Sequence, residues 1–541
     1  MIMRREATGS RDWWRTGVIY QIYPRSFRDG NGDGIGDLFG VIEHLPYLSE
    51  MLGIEAIWLS PFYPSPMRDG GYDISDFTNV DPTFGDLATF RSLLTEAHRH
   101  GLKVLIDYVP NHTSDQHPWF VASRSARSHP LRDWYIWRDP RPDGSAPNNW
   151  VEETGNSVWE WEERTGQYYL HSHYVSQPDL NWRNPSVRAA MIDVLRFWLD
   201  LGVDGFRIDV PHLIMKDPQW RDNPPNPHPQ ANPYDRQHPL FHTQLHVYDR
   251  QHPDLHEVYR EIRTVLDSYS GEYDHVMMGE TEVCAWETWL RYYGQDQDEF
   301  HLPFHFQLIE TPWQAGAIRS FVETFEQHLP LGAWPNYVLG NHDRPRLATR
   351  CGAEAVRIAA MLLLTLRGTP TLYYGEELGM PDVPVTPQQQ QDPLGRDPTR
   401  TPMLWNAEPH AGFCPPQARP WLPVPSDYRT TNVATQLSAP HSTLNLYRRL
   451  VAYRRASEAL RTGTYRSIPL SQEGCYAYLR EAKGQRVLVA LNLSAQEQVV
   501  SLSDLREGWV AISTELDRQE AIDPNRLLLR KHEGLLVELR G

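Results

Sequence analysis

An arginine and an aspartate two residues apart, in Gly205-Phe206-Arg207-Ile208-Asp209, are the side chains of this sequence best placed to do chemistry. Their neighbours are small or β-prone, and strand alternation turns Arg207 and Asp209 to one face. A guanidinium beside a carboxylate keeps it ionised, which a nucleophile requires. Taken alone, the pair reads more readily as a structural ion pair at a strand end. Three further polar clusters change that reading: Asp107-x-x-x-Asn111-His112, Gly279-Glu280-Thr281-Glu282 and Gly340-Asn341-His342-Asp343. Each ends an apolar, strand-like run, and a buried polar group at one strand end is ordinary. Four in succession are not.

A different chemistry is written in Asp29-Gly-Asn31-Gly-Asp33-Gly34-Ile35-Gly-Asp37. Oxygen-bearing side chains at alternate positions, with glycine at the sixth, match the first nine positions of an EF-hand loop. The twelfth position is Gly40 rather than glutamate, so a bidentate ligand is missing. The pattern predicts a six-oxygen site for Ca²⁺ or Mg²⁺ built from Asp29, Asn31, Asp33, the Ile35 carbonyl and Asp37, with a structural role. The alternative is a hydrated Gly/Asp turn without metal.

The elements that would hold these groups are eight short apolar runs, at 18–23, 54–59, 103–109, 204–210, 275–279, 300–307, 334–339 and 369–374. Helical patterns lie between several of them. Asp86 can cap a helix with Leu87, Phe90, Leu94 and Ala97 on one face, stopped by Gly101. Asn184-Pro185 opens another, with Val187, Met191, Val194, Leu195 and Trp198 inward and Gly202 at its end. Eight strands alternating with helices predict an α/β (β/α)₈ TIM barrel whose chemistry sits at the C-terminal strand ends.

Three gaps exceed a plain loop and helix. That after the third strand is rich in Trp, Asp and Pro to about residue 177, which suggests a small inserted domain. The second holds a Pro/His/Asn-rich run at 223–239 without apolar period, an irregular excursion over the barrel mouth. The third runs from 375 to about 447. Beyond a helical stretch at 444–460, short strand-like runs at 475–479, 486–491, 497–502 and 527–530 indicate an all-β sandwich. The expected division is 1–111 and 178–460 for the barrel, 112–177 for the insert and 461–541 for the β domain.

These motifs make the chain resemble the α-amylase family of glycoside hydrolases over nearly its whole length. Gln177-Pro-Asp-Leu-Asn181 and Arg400-Thr-Pro-Met403 narrow the resemblance to its oligosaccharide α-glucosidase branch, the oligo-1,6-glucosidase and maltase-like enzymes. It implies Asp209 as nucleophile, Glu280 as general acid/base and Asp343 as a third carboxylate gripping sugar hydroxyls. It further implies that Tyr72 stacks on the terminal glucose while Asp69 and Arg400 bind its 4-hydroxyl and close the pocket, with Arg396 competing for the arginine's place. His112 and His342 can donate to sugar hydroxyls, and Arg207 favours the charged form of Asp209. Independently of any family, a retaining glycosidase needs one ionised carboxylate to attack the anomeric carbon and a protonated one to serve the leaving oxygen. Glu280, with no cation beside it in sequence, suits the second role. The chain departs from the family's Met-Gln-Trp at Leu404.

The function this implies is a retaining, exo-acting α-glucosidase on short oligosaccharides. A transglucosylase or sugar isomerase would use the same carboxylates. A non-catalytic relative fits poorly with intact carboxylates and no anchor. An endo-acting α-amylase fits poorly with Pro211-His212 after Val210. Val210 directly follows the nucleophile, and in the resembled α-glucosidases a valine there tends to accompany α-1,6 cleavage.

Composition agrees and excludes other classes. The net charge is −17 and only four of the 541 residues are lysine, so neither nucleic acid nor an anionic membrane is an expected partner. The 19 Trp and 26 Tyr suit sugar stacking as well as core packing. No run reaches transmembrane length and the N-terminus is polar. Cys284, Cys351, Cys414 and Cys475 show no paired spacing, which points to a cytoplasmic protein without disulfides.

Overall fold

The computed structural model describes residues 12–229, 237–282, 285–502, 505 and 507–540. Cys284 and part of the 223–239 run lie outside the described residues. All eight expected barrel strands form, as Ile19–Ile22, Ala56–Leu59, Lys103–Tyr108, Gly205–Ile208, Val276–Glu280, Leu302–Phe304, Asn336–Val338 and Thr369–Tyr373. They pair in parallel in the order seven, eight, one, two, three, four, five, six. The sixth and seventh lie side by side, so the sheet curls into a nearly closed barrel. Every residue of these strands except Lys103 is buried, as parallel strands covered on both faces must be.

Both helices expected from their caps are present. Asp86 accepts a hydrogen bond from Thr89 N (2.7 Å) at the head of Leu87–Arg99. Asn184 accepts from Ser186 N at the head of Pro185–Leu201, and Gly202 ends that helix at φ 104°, where a β-carbon is disfavoured. Their apolar faces pack on the barrel in one continuous core.

Between the third strand and Pro185 the chain forms helix Pro118–Ser125 and a small antiparallel sheet of Trp137–Arg138, Gln167–Leu170 and Trp159–Glu162. The part of the 223–239 run that is described holds no helix or extended strand. The C-terminal unit joins a six-stranded sheet to the two-stranded pair Gln498–Val500 and Leu527–Leu529 over a core of its own. Four of its strands were not anticipated: Thr464–Ile468, Gly508–Ser513, Ala521–Ile522 and Gly534–Leu539. In Gly508–Ser513 the alternation that marks a strand is blurred, because Trp509 faces outward and a bulge follows Val510.

Candidate active site

Strand register assembles the site. Asp107 pairs with Arg207 on the neighbouring strand, and Ile208 with Gly279, so the next residues, Asp209 and Glu280, emerge side by side at the barrel mouth. The strands can approach this closely because Gly205 has no β-carbon, which would lie 2.4 Å from the Val276 carbonyl oxygen.

Arg207 is the hub. It is fully buried, and its Nη1 donates to Asp107 Oδ1 (2.6 Å) and Asp209 Oδ1 (2.8 Å). Its Nη2 lies 2.5 Å from Glu280 Oε2, an ion-pair distance without hydrogen-bond alignment. No cation adjoins Glu280 in sequence, and the one that meets it comes from the adjoining strand. Trp58 Nε1 donates to the other oxygen of Asp107 (2.8 Å), which makes Asp107 an anchor for the arginine.

Burial dominates the titration of the pair. It pushes Glu280 up to about 8, with Arg207 opposing and the charges of Asp209 and Asp343 adding to the rise. Asp209 is raised by burial to about 7, Arg207 again opposing. The two carboxyls behave as one coupled unit that holds a proton near neutrality. That proton belongs on Glu280, because Asp209 has the aligned hydrogen bond from Arg207. Asp343 goes the other way. Burial alone would raise it, yet it is held well below the usual carboxylate range by neighbouring cations. Burial keeps His342 itself neutral, so the fixed charges responsible are Arg396 (3.0 Å) and Arg400 (2.9 Å).

Of the expected sugar contacts, Asp69, Tyr72 and His112 line the pocket, whereas Arg207, His342 and Arg400 are buried behind its lining. Tyr72 stacks on His342, ring centroids 5.3 Å apart and planes 7° apart, and His112 is held by Gln177 Nε2 (3.0 Å). Tyr72, His112, Asp69, Asp209, Glu280 and Asp343 all line one pocket. The expected Asp69–Arg400 pair does not form. Arg396 contacts Asp69 and Asp343 at once, braced by Asp392, while Gln177 Nε2 donates to the other Asp69 oxygen (2.8 Å). Arg400 sits one short turn further on, donating through Nε to the His342 carbonyl (2.8 Å), behind the wall. Asn111 is not among the pocket's lining residues: it accepts from Lys216 and donates to Asp179.

Several wall residues were not expected. Glu152, Glu153, Thr154, His173 and Tyr174 come from the inserted segment, Gln237 from the excursion, and Phe306, Arg344 and Leu394 from later loops. Only Arg344 carried a signal, as the immediate neighbour of Asp343.

The Asp29–Asp37 loop lies elsewhere, and none of its residues lines the pocket. Asp29 accepts from Gly34 N (2.8 Å), and Asp33 from Ile35 N (2.8 Å). Asp37 accepts from Asn31 N (2.9 Å) and from Gly40 N (2.7 Å), so Asp37 caps helix Leu38–Glu43 and Gly40, the would-be twelfth ligand position, lies in its first turn. Among the described residues no cluster of three or more His, Cys, Asp or Glu side chains is spaced to hold a metal.

The likeness to known proteins runs the length of the chain. A model of the α-amylase catalytic domain matches residues 21–463, and one of the maltogenic amylase C-terminal domain matches residues 465–522. A probable α-glucosidase of Rhizobium meliloti is 40% identical, over 94% of this chain and 95% of that protein. An oligo-1,6-glucosidase of Parageobacillus thermoglucosidasius is 35% identical, over 98% and 99%. Among solved structures, an α-glucosyl transfer enzyme matches with a TM-score of 0.91 at 41% identity, covering 98% of this chain and 99% of that one. With its three carboxylates at the mouth of a parallel barrel and this extent of similarity, the chain belongs to the α-amylase family of glycoside hydrolases.

Proposed function

We propose that the protein is a retaining, exo-acting α-glucosidase that removes terminal α-linked glucose from short oligosaccharides through a covalent glycosyl-enzyme. The observation that carries this reading is Arg207 bridging a nucleophile and a protonated partner in a pocket whose far wall is closed by Asp69 and Arg396. In the first step an Asp209 oxygen attacks the anomeric carbon, the bond to the leaving oxygen breaks, and Glu280 gives that oxygen its proton. In the second, Glu280 takes a proton from water, the water oxygen attacks the same carbon, and Asp209 leaves. Asp343, kept ionised, faces the positive charge that develops on the sugar. Incubation with maltose, isomaltose, sucrose and trehalose, followed by anomer-resolved NMR, tests this. With sucrose and trehalose, whose leaving groups bring no equilibrated glucose, release of glucose first as the α-anomer is the expected result, and β-glucose as a first product would overturn it.

A second reading is favoured by the similarity to an α-glucosyl transfer enzyme. A sugar hydroxyl could replace water in the second step without any change of catalytic residue. Transfer products outweighing glucose at high sugar concentration would support that reading.

Linkage preference is proposed to rest in part on Val210. Its backbone is left-handed (φ 33°, ψ 54°), costly for a β-branched residue by about 1–3 kcal/mol, and its side chain lines the pocket beside the nucleophile. The second γ-methyl narrows the space for a directly attached ring, whereas the extra carbon of a 6-linkage lets the ring swing away. Val210→Ala, which removes both γ-methyls, is expected to lower the isomaltose-to-maltose ratio of kcat/KM by about tenfold. An unchanged ratio assigns the preference to other walls.

The Asp29–Asp37 loop is proposed to hold Ca²⁺ or Mg²⁺ through Asp29, Asn31, Asp33, the Ile35 carbonyl and Asp37. In support, Asp29 and Asp37 are buried carboxylates in one loop, and Asp37 is raised by burial and, in smaller part, by the charge of Asp29. A divalent ion would relieve both effects. Chelation is expected to lower the melting temperature before it lowers the rate. A melting temperature unmoved by chelator and by Asp33→Ala, with no divalent ion on analysis, would make the loop a plain turn.

Among the described residues no helix is long and apolar enough to cross a membrane. A cytoplasmic location belongs to the same proposal, supported by the free thiols of Cys351, Cys414 and Cys475, and cell fractionation tests it.

A further inference from the structure

Beyond the catalytic carboxylates, a second set of charges lines the pocket. Glu282 follows Glu280, whose proton serves the leaving oxygen, by two residues, Arg344 follows Asp343 directly, and both line the same pocket, whose closed wall is formed by Asp69 and Arg396. Arg344 Nη2 lies 2.6 Å from Glu282 Oε1, and Glu310 stands behind it at 3.7 Å. Glu153 completes the group from the inserted segment, and its charge reaches both Glu282 and Arg344. Burial, with the charges of Glu153, Glu280 and Glu310, pushes Glu282 up to about 8, and the guanidinium at 2.6 Å opposes that rise by favouring the ionised form. Three carboxylates thus surround one guanidinium. At the opposite end Arg396 is itself engaged by Asp69, Asp343 and Asp392, which leaves no unpaired arginine among the described residues of the wall.

Resting on the α-glucosidase reading, we infer that the leaving-group half of this pocket takes uncharged or cationic aglycones and rejects anionic ones, with Glu282 setting this selectivity by neutralising Arg344. A like charge brought close to partly buried carboxylates is repelled strongly, because the pocket wall screens less than water. An arginine already in a short ion pair cannot present its charge to a phosphate or carboxylate without leaving Glu282 unpaired. Neutral hydroxyls carry no such penalty. Discrimination built by repulsion does not require an added attractive contact.

The experiment uses the full-length protein and three α-glucosides of one linkage, whose phenyl aglycones carry carbamoyl, carboxylate or aminomethyl groups at the 4-position. The wild type is expected to turn over the carbamoyl and aminomethyl compounds at least 30-fold better, in kcat/KM, than the carboxylate. In Glu282→Gln, Arg344 is left without its nearest partner, and the carbamoyl-to-carboxylate ratio is expected to fall at least tenfold. Raising ionic strength from 0.05 to 0.5 M should shrink the wild-type ratio, a response that a steric preference would not give. A wild-type ratio within threefold of unity, or a ratio unmoved in a folded Glu282→Gln protein, would overturn the inference. Failure to cleave any of the three compounds, or any disaccharide, would instead count against the α-glucosidase reading.

Discussion

Glu280→Gln is expected to lower kcat on disaccharides by roughly 10²–10⁴-fold while leaving the fold intact, because the leaving oxygen then departs without a proton. The same variant should be far less impaired on a dinitrophenyl α-glucoside, whose leaving group needs no acid. Asp209→Asn should be impaired on both, since the covalent intermediate cannot form. The pH profile separates the roles further. Wild-type kcat/KM should rise as the coupled pair loses its first proton, chiefly from Asp209, and fall as Glu280 loses its own at about pH 8. Glu280→Gln should abolish the alkaline fall. Near-normal disaccharide turnover in either purified variant would remove that residue from its role.

Arg207→Met should be inactive and also unstable. The arginine is fully buried and touches Asp107, Asp209 and Glu280, each itself at most 7% exposed. Removing one partner of a buried charge network costs about 3–5 kcal/mol, because the remaining charges stay buried without compensation. The pH dependence has a definite sign. Asp107, Asp209 and Glu280 are already raised by burial in the folded protein, and losing Arg207 raises them further. Groups with raised folded values stabilise most below their unfolded values and lose that contribution as pH rises through the folded ones. The variant's urea midpoint should therefore lie closest to wild type near pH 5 and fall furthest behind above pH 8. An equal deficit at both pH values would mean that Arg207 acts through packing rather than charge.

The sequence by itself determined the eight strands, the two capped helices and the four polar strand ends, because each is a local pattern. An apolar run of five or six residues, a cap three residues before a buried face, and a glycine where φ must be positive all act over a few residues. The roles of Asp209, Glu280 and Asp343 came instead from the resemblance to the α-amylase family that those local motifs carry.

The tertiary structure alone decided which charges meet. The contact of Arg207 with Glu280 joins neighbouring barrel strands, and that of Arg396 with Asp69 joins residues 327 positions apart. Neither leaves a periodic trace, which is why Arg400 was expected where Arg396 stands. The leaving-group wall was likewise illegible. Glu153, Tyr174 and Gln237 lie in irregular segments whose course is set by where the barrel lets them land, not by their own pattern. Strand propensity and capping are properties of short stretches, whereas a pocket's charge balance depends on the packing of distant ones.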